Sequence, residues 1–291
     1  MSESQSQPPA VLQVSCVQMH WARSLEFNLD RTLFHLQESA REGSRVVCFP
    51  ETSLTGYYFP DILKLTSAQI EAALERAREA TATAGLWAIV GLLRPTPDRF
   101  LNLAIVINPR GEIVHEYAKV HLAGRDEQRY CRAGDKLSLF EIDGVKCTLG
   151  ICRDGRHPEV YRVPAMAGAQ VYFQPSCSSD EVEAVTWKRT SGRAQLPAGP
   201  TTTVFHCVAN TIGGTPDGRQ ISSGQSFIRE PNGLPLVEAG RHAEERITAV
   251  LDLARADRRY ALDSLNDPPF LRPHWERMIG DMLARKDTRP E

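Results

Sequence analysis

Residues 11–49 read VLQVSCVQMHWARSLEFNLDRTLFHLQESAREGSRVVCF, and the fold class is decided there. Val11, Gln13, Val14, Cys16 and Val17 form a short apolar stretch rich in β-branched residues, the composition of a strand. Leu25, Leu29, Leu33 and Leu36 then recur at helical spacing, with Ser24 at the N-cap position and Gly43 closing the segment. Arg45-Val46-Val47-Cys48-Phe49 is a second apolar run, so a helix feeds back into a buried strand. The unit repeats: Ser67 caps a helix carrying Ile70, Ala73, Leu74 and Ala77, Gly85 ends it, and Leu86 to Val90 form another strand. Alternation of this kind predicts an α/β layered fold.

Farther along, Leu103 to Ile107 and Ile113 to Tyr117 flank the turn Asn108-Pro109-Arg110-Gly111, which predicts a hairpin. A second hairpin is predicted at Leu137 to Ile142 and Val145 to Cys152 around Asp143-Gly144, a good tight-turn pair. A helical segment from Pro158 to Ala167, ended by Gly168, and a strand from Val171 to Gln174 resume the alternation. A strand at Val204 to Ala209, a hairpin around Pro231-Asn232-Gly233 and a strand at Ile247 to Leu253 follow. Hairpins require antiparallel pairing, so mixed sheets with helices outside are expected rather than a purely parallel sheet. The domain expected spans 11–265, after a loose polar tail at 1–10. Residues 266–291, with Trp275, Met278, Ile279, Met282 and Leu283 at amphipathic spacing, form an extension expected to pack on a partner subunit, which makes the chain a homo-oligomer, dimer or larger.

Composition removes several classes of function. The 291 residues allow one large domain or at most two. Lys plus Arg number 34 against 36 Asp plus Glu, without a run of five like charges, so nucleic acid is not an expected partner. No stretch approaches the roughly 18–20 apolar residues of a membrane span, and residues 1–10 lack the features of a signal or transit peptide. A cytoplasmic protein without a membrane partner is expected. The seven cysteines are scattered, which argues against a disulfide framework. Neither Cys-x-x-Cys nor His-x-x-x-His occurs, nor a glycine-rich phosphate loop, so neither a metal nor a nucleotide cofactor is expected.

Three segments place polar or ionisable groups just beyond apolar strands: Phe49-Pro50-Glu51, Tyr117-Ala118-Lys119-Val120-His121-Leu122, and Leu149-Gly150-Ile151-Cys152-Arg153-Asp154-Gly155-Arg156-His157-Pro158-Glu159. Singly, each has an ordinary structural explanation: strand-end glutamates and lysines are commonly solvated, and cysteines are commonly inert and buried. The third segment, however, is a strand-turn-helix elbow, a geometry that exposes a nucleophile and aims backbone N–H groups at what it attacks. Cys152, His206 and Asn210 also follow the order of papain-like proteases, but their span is short and the signature around the cysteine is missing. His157 is expected to be a loop residue rather than a base.

Together, in this order, the three segments resemble the motifs of the nitrilase superfamily of carbon-nitrogen hydrolases: Phe-Pro-Glu at a strand end, a lysine in Tyr-x-Lys-x-His-Leu, and a cysteine in Cys-x-Asp-x-Arg-x-Pro-Glu. Leu54-Thr55-Gly56-Tyr57, Asn102, Glu127 with Tyr130 and Gly134, Gln174-Pro175-Ser176, Asn210 and Gly224-x-Ser226 resemble the family as well. The resemblance implies a four-layer α-β-β-α sandwich and a triad of Glu51 as base, Lys119 as oxyanion stabiliser and Cys152 as nucleophile. It further implies that Glu127 orients Lys119 and substrate, and that the Arg153 N–H, Tyr57, Trp187 and Ser176 belong to the oxyanion and substrate pocket. The triad makes chemical sense, because a free thiol with a pKa near 8.5 needs a neighbouring base or cation to attack at neutral pH.

Two departures stand out. Relatives carry Arg-Ala-x-Glu-Asn where this chain has Arg193-Ala194-Gln195-Leu196-Pro197, and Arg153 and His157 replace aromatics common after the nucleophile. True nitrilases usually have Cys-Trp-Glu; here Asp154 and Arg156 are expected to pair and make the elbow polar, which suits an amide. The activity implied is cofactor-independent hydrolysis of a small linear amide or carbamoyl compound, the alternatives being a nitrilase or a retired hydrolase serving as a binding or scaffold subunit.

Overall fold

The computed structural model describes residues 9–184 and 199–284. Its strands are β1 (Val11–His20), β2 (Val46–Cys48), β3 (Trp87–Pro95), β4 (Phe100–Ile107), β5 (Ile113–Ala118), β6 (Phe140–Ile142), β7 (Val145–Leu149) and β8 (Val171–Pro175). They continue as β9 (Ser179–Glu181), β10 (Phe205–Ala209), β11 (Thr211–Ile212), β12 (Gln220–Ser222), β13 (Phe227–Arg229), β14 (Pro235–Glu238) and β15 (Glu245–Asp252). One seven-stranded sheet has the order β11-β1-β2-β3-β4-β5, with β15 antiparallel along β1. A six-stranded sheet has the order β14-β13-β10-β8-β7-β6. In both, the central pairs are parallel and the hairpins add antiparallel strands, the mixed pairing expected.

The strand period of two explains the layering. In β2, Val46 and Cys48 face the second sheet and join a core with Leu149, Val171, Phe173 and Cys207, while Val47 points the other way. Val47, Phe49, Val90 and Ile105 pack under the helices Leu25–Arg41 and Ser67–Ala84 through Leu29, Leu36, Ile70 and Leu74. The outer face of the second sheet is covered by the helix Glu159–Met166, where Tyr161 and Ala165 meet Tyr172. The result is helix, sheet, sheet, helix.

Local signals set the element ends. Ser24 caps its helix by accepting from the Phe27 N–H at 3.2 Å. The second helix is capped by Thr66, not Ser67, because Thr66 forms a reciprocal capping box with Gln69. β7 stops at Leu149, so Cys152 stands beyond the strand in a 3₁₀ turn. The short ribbon β9–β12 was not anticipated, since its mostly polar strands carry no hydrophobic alternation. Among the described residues no helix is long and apolar enough to cross a membrane. The C-terminal helix Leu271–Ala284 leaves Trp275, Met278 and Met282 exposed.

Candidate active site

The site lies where the ends of the two sheets meet. After β2 the chain turns at Pro50, and Thr52 adopts a φ of 52°, turning Glu51 inward. This turn is pressed against β3 at Gly91, where a Cβ would stand 2.3 Å from the Thr52 nitrogen, so no side chain is tolerated there. Lys119 follows β5 directly; its N–H donates to the Asn102 carbonyl at 2.9 Å and its own carbonyl accepts from Gly134 at 2.8 Å. Glu127 enters from the short helix Gly124–Tyr130.

These side chains form one buried ionic cluster. Lys119 Nζ lies 2.7 Å from Glu51 Oε1 and 2.9 Å from Glu127 Oε2, and both ion pairs are fully shielded from solvent. Asn102 Nδ2 donates to both carboxylates, at 2.8 Å to Glu51 and 2.6 Å to Glu127. The Ala123 N–H donates to Glu127 Oε2 as well, the same oxygen that pairs with Lys119. Burial raises the Glu51 pKa above the ordinary carboxylate range, with Lys119 opposing the shift and Glu127 adding to it. Burial would depress the Lys119 ammonium, but Glu51, Cys152 and Glu127 around it push its pKa up instead.

Cys152 is half-buried at a φ of 46°, a strained position for a residue with a side chain. Asp154 holds the turn: its Oδ2 accepts from the Ile151 N–H at 2.9 Å and the Tyr117 hydroxyl at 2.8 Å, and its Oδ1 accepts from the His121 N–H at 2.9 Å. The expected Asp154–Arg156 pair is therefore not formed; Arg156 is exposed, and the buried carboxylate is engaged by long-range partners. The elbow is polar nonetheless, through Asp154.

The backbone of one residue links the two halves. The N–H of Cys177 donates to Glu51 Oε2 at 2.9 Å, while its carbonyl accepts from the Cys152 thiol at 3.8 Å. Burial and the nearby Glu51 charge, with Lys119 opposing, push the Cys152 thiol up to about 12, a shift that favours the neutral sulfur.

Glu51, Lys119, Glu127 and Cys152 are thus brought together, and the Tyr57 ring lies 5.9 Å from Lys119 Nζ. Arg153 follows the cysteine on the exposed side of the turn. Ser176 is fully buried, its N–H donating to Ala209 at 2.8 Å. Trp187 and the departure at Arg193–Pro197 lie outside the described residues. The Cys-His-Asn alternative finds no support in the contacts: His206 bonds Gln174 at 2.7 Å, and Asn210 accepts from the Ser178 N–H at 3.0 Å. His157 stacks on His121 with ring centroids 3.5 Å apart, at the surface side of the elbow. Sequence reasoning missed Cys177, which acts through its backbone and so leaves no residue-type signal. It also missed the partners of Asp154. Among the described residues no group of three or more His, Cys, Asp or Glu is arranged to hold a metal ion.

A model of the carbon-nitrogen hydrolase family matches residues 13–260. The chain is 28% identical over 245 residues to a 2-oxoglutaramate amidase of Bacillus subtilis, covering 82% of this chain and 90% of the amidase. It is equally identical, over 245 residues and 82% of its length, to a glutamine-dependent NAD(+) synthetase of Aquifex aeolicus, but spans only 42% of that protein. Among solved structures, an amidase variant from Nesterenkonia sp. AN1, showing the result of Michael addition of acrylamide at its active site cysteine, superposes with a TM-score of 0.74. It shares 25% identity, over 87% of this chain and 98% of that one.

Proposed function

The chain belongs to the carbon-nitrogen hydrolase family, and from that premise we propose that it hydrolyses a small linear amide or carbamoyl compound through a thioester on Cys152. The observation that carries this is the Cys177 backbone, whose N–H holds the Glu51 carboxylate and whose carbonyl meets the Cys152 thiol, beside the Lys119 ammonium. The amidase relatives and the cysteine adduct of the Nesterenkonia enzyme support the same choice.

Charge balance sets the order of events. With a neutral thiol, one ammonium faces two carboxylates. A thiolate would add a further negative charge in a buried site, so Cys152 loses its proton only as Glu51 gains it. The sulfur then forms a bond to the carbonyl carbon, and the C=O π pair moves to oxygen, facing Lys119 and the Arg153 N–H. Collapse of the oxyanion breaks the C–N bond as Glu51 returns its proton to the leaving nitrogen. Water next gives a proton to Glu51 and its oxygen bonds the thioester carbon; the second collapse breaks S–C, and the sulfur recovers a proton. Every step uses groups of the chain and water. The exposed Trp275, Met278 and Met282 stripe supports a dimer or larger assembly as the working form.

The test is an ammonia-release screen over amides, carbamoyl compounds and the matching nitriles, with hydroxylamine as competing nucleophile and intact mass recorded. Ammonia or amine release, a hydroxamate product and an acyl adduct on Cys152 are expected, with negligible nitrile turnover. A nitrile consumed faster than its amide would move the activity to the nitrilase branch, and no adduct or turnover on any compound would favour a retired scaffold.

A further inference from the structure

Two side chains that the chemistry above leaves unused hold the nucleophile turn from behind. Gln174, in β8, donates from Nε2 to the Cys152 carbonyl oxygen at 2.8 Å. In the neighbouring strand β10, His206 places Nε2 2.7 Å from Gln174 Oε1. A carbonyl can only accept, so the Gln174 amide nitrogen must face Cys152 and its oxygen must face His206. The imidazole therefore carries a proton on Nε2 and donates it. The ring is fully buried, stacked on Tyr172 with centroids 4.9 Å apart and edge-on to Phe227 at 5.1 Å. Burial, with Arg229 nearby, lowers its pKa to about 3, which keeps it neutral at ordinary pH. Room for the amide depends on Gly155, where a Cβ would stand 2.4 Å from Gln174 Nε2.

The carbonyl of Cys152 and the N–H of Arg153 belong to the same planar peptide unit, so fixing one fixes the other. Cys152 also has a left-handed backbone, a conformation that persists only where its surroundings over-determine it. We propose that His206 and Gln174 are positioning residues: a His206-to-Gln174-to-Cys152 hydrogen-bond relay sets the plane of the Cys152–Arg153 peptide and so aims the Arg153 N–H as an oxyanion donor. The proposal rests on Cys152 being the nucleophile and deepens that assignment.

The test compares two reactions of Cys152, each read by intact mass and peptide mapping. Acylation by p-nitrophenyl acetate passes through an oxyanion, whereas alkylation by iodoacetamide is displacement at a saturated carbon and forms none. His206→Phe keeps the ring and removes the donor. It should slow acylation by about 10- to 100-fold, below the full loss of an oxyanion donor, and leave alkylation within about threefold. Gln174→Met should behave alike, the double variant should be no worse than either single, and His206→Gln, whose amide N–H can approach the lost donor position, should restore most of the rate. Unchanged acylation in both His206→Phe and Gln174→Met would overturn the proposal, as would acylation and alkylation falling in parallel, the mark of a merely structural role. If His206→Phe does not fold, Gln174→Met against His206→Gln decides the matter. Failure of the underlying assignment looks different: p-nitrophenyl acetate would then leave Cys152 unlabelled in the unmodified protein.

Discussion

The two halves of the site are held by opposite means. On the first sheet, Glu51, Lys119, Glu127 and Asn102 are positioned by one another, charge against charge, with no exposure to water. On the second, Cys152 is positioned almost wholly through its backbone: a left-handed φ, a carbonyl held by Gln174 and a turn held by Asp154. A buried ionic cluster tolerates small backbone shifts but not the loss of a member, because the charges left behind have no water to turn to. A backbone-held thiol is the reverse: its side chain can be trimmed without harm to the fold, while anything that rotates its peptide alters what it can attack. The comparison separates loss of chemistry from loss of structure, and substitutions on each side should divide accordingly.

The largest effect expected on activity is that of Cys152→Ala. Turnover should fall by about 10⁴-fold or more, while the melting temperature stays close to that of the unmodified chain, since the thiol makes only a weak 3.8 Å contact to the Cys177 carbonyl. Ammonia release and a thermal melt on the same sample measure both. Substantial residual activity, or acyl label arriving on Cys177, would remove Cys152 from its role.

Lys119→Met should act on both quantities. It removes the ammonium proposed for the oxyanion and strands two buried carboxylates, so activity should fall by about 10²- to 10³-fold and stability by about 3–5 kcal/mol. Urea unfolding read beside the rate makes the contrast with Cys152→Ala direct. If Lys119→Met proved as harmless to stability as Cys152→Ala, the first half would not be held by its charges and the comparison would fail.

The same division decides what the sequence could disclose. Strands and helices were legible because the apolar period is local, as at Leu25, Leu29 and Leu36 behind the Ser24 cap, whereas the cap of the second helix fell one residue from the expected Ser67, at Thr66. The convergence of Glu51, Lys119 and Cys152 was legible because each follows a recognisable apolar strand within an ordered set of motifs. What stayed hidden acts at long range or through the backbone. Asp154 has a local candidate in Arg156, yet it binds Tyr117 and His121, 37 and 33 residues away. Cys177 contributes a backbone N–H and a backbone carbonyl, which any residue but proline carries. The positive φ of Thr52 and Cys152 is imposed by packing against Gly91 and by the turn clamps, not by residue type.

The smallest effect concerns a tie between the two halves away from the chemistry. Asp143, at the turn of the β6–β7 hairpin, accepts from Arg45 Nη2 at 2.8 Å and from Trp87 Nε1 at 3.0 Å, joining the second sheet to the starts of β2 and β3. Asp143→Asn keeps a residue that tolerates the φ of 49° there while removing the charge. The pair is partly exposed, at 41% and 30% of side-chain surface, so the loss at neutral pH should stay below about 1 kcal/mol. Its sign with pH follows from Arg45, which lowers the Asp143 pKa below its ordinary 3.8. A depressed acid stabilises the fold fully above that ordinary value and ceases to do so as pH falls through the lower folded one. The stability difference between the two proteins should thus be flat near neutrality and shrink below about pH 4, and it should be smaller in high salt. Turnover should remain within about twofold, because a weak tie at the far end of the sandwich has no hold on the Cys152 peptide. A several-fold change in turnover without a matching loss of stability would show that the halves communicate through this bond, and the separation between them would have to be redrawn.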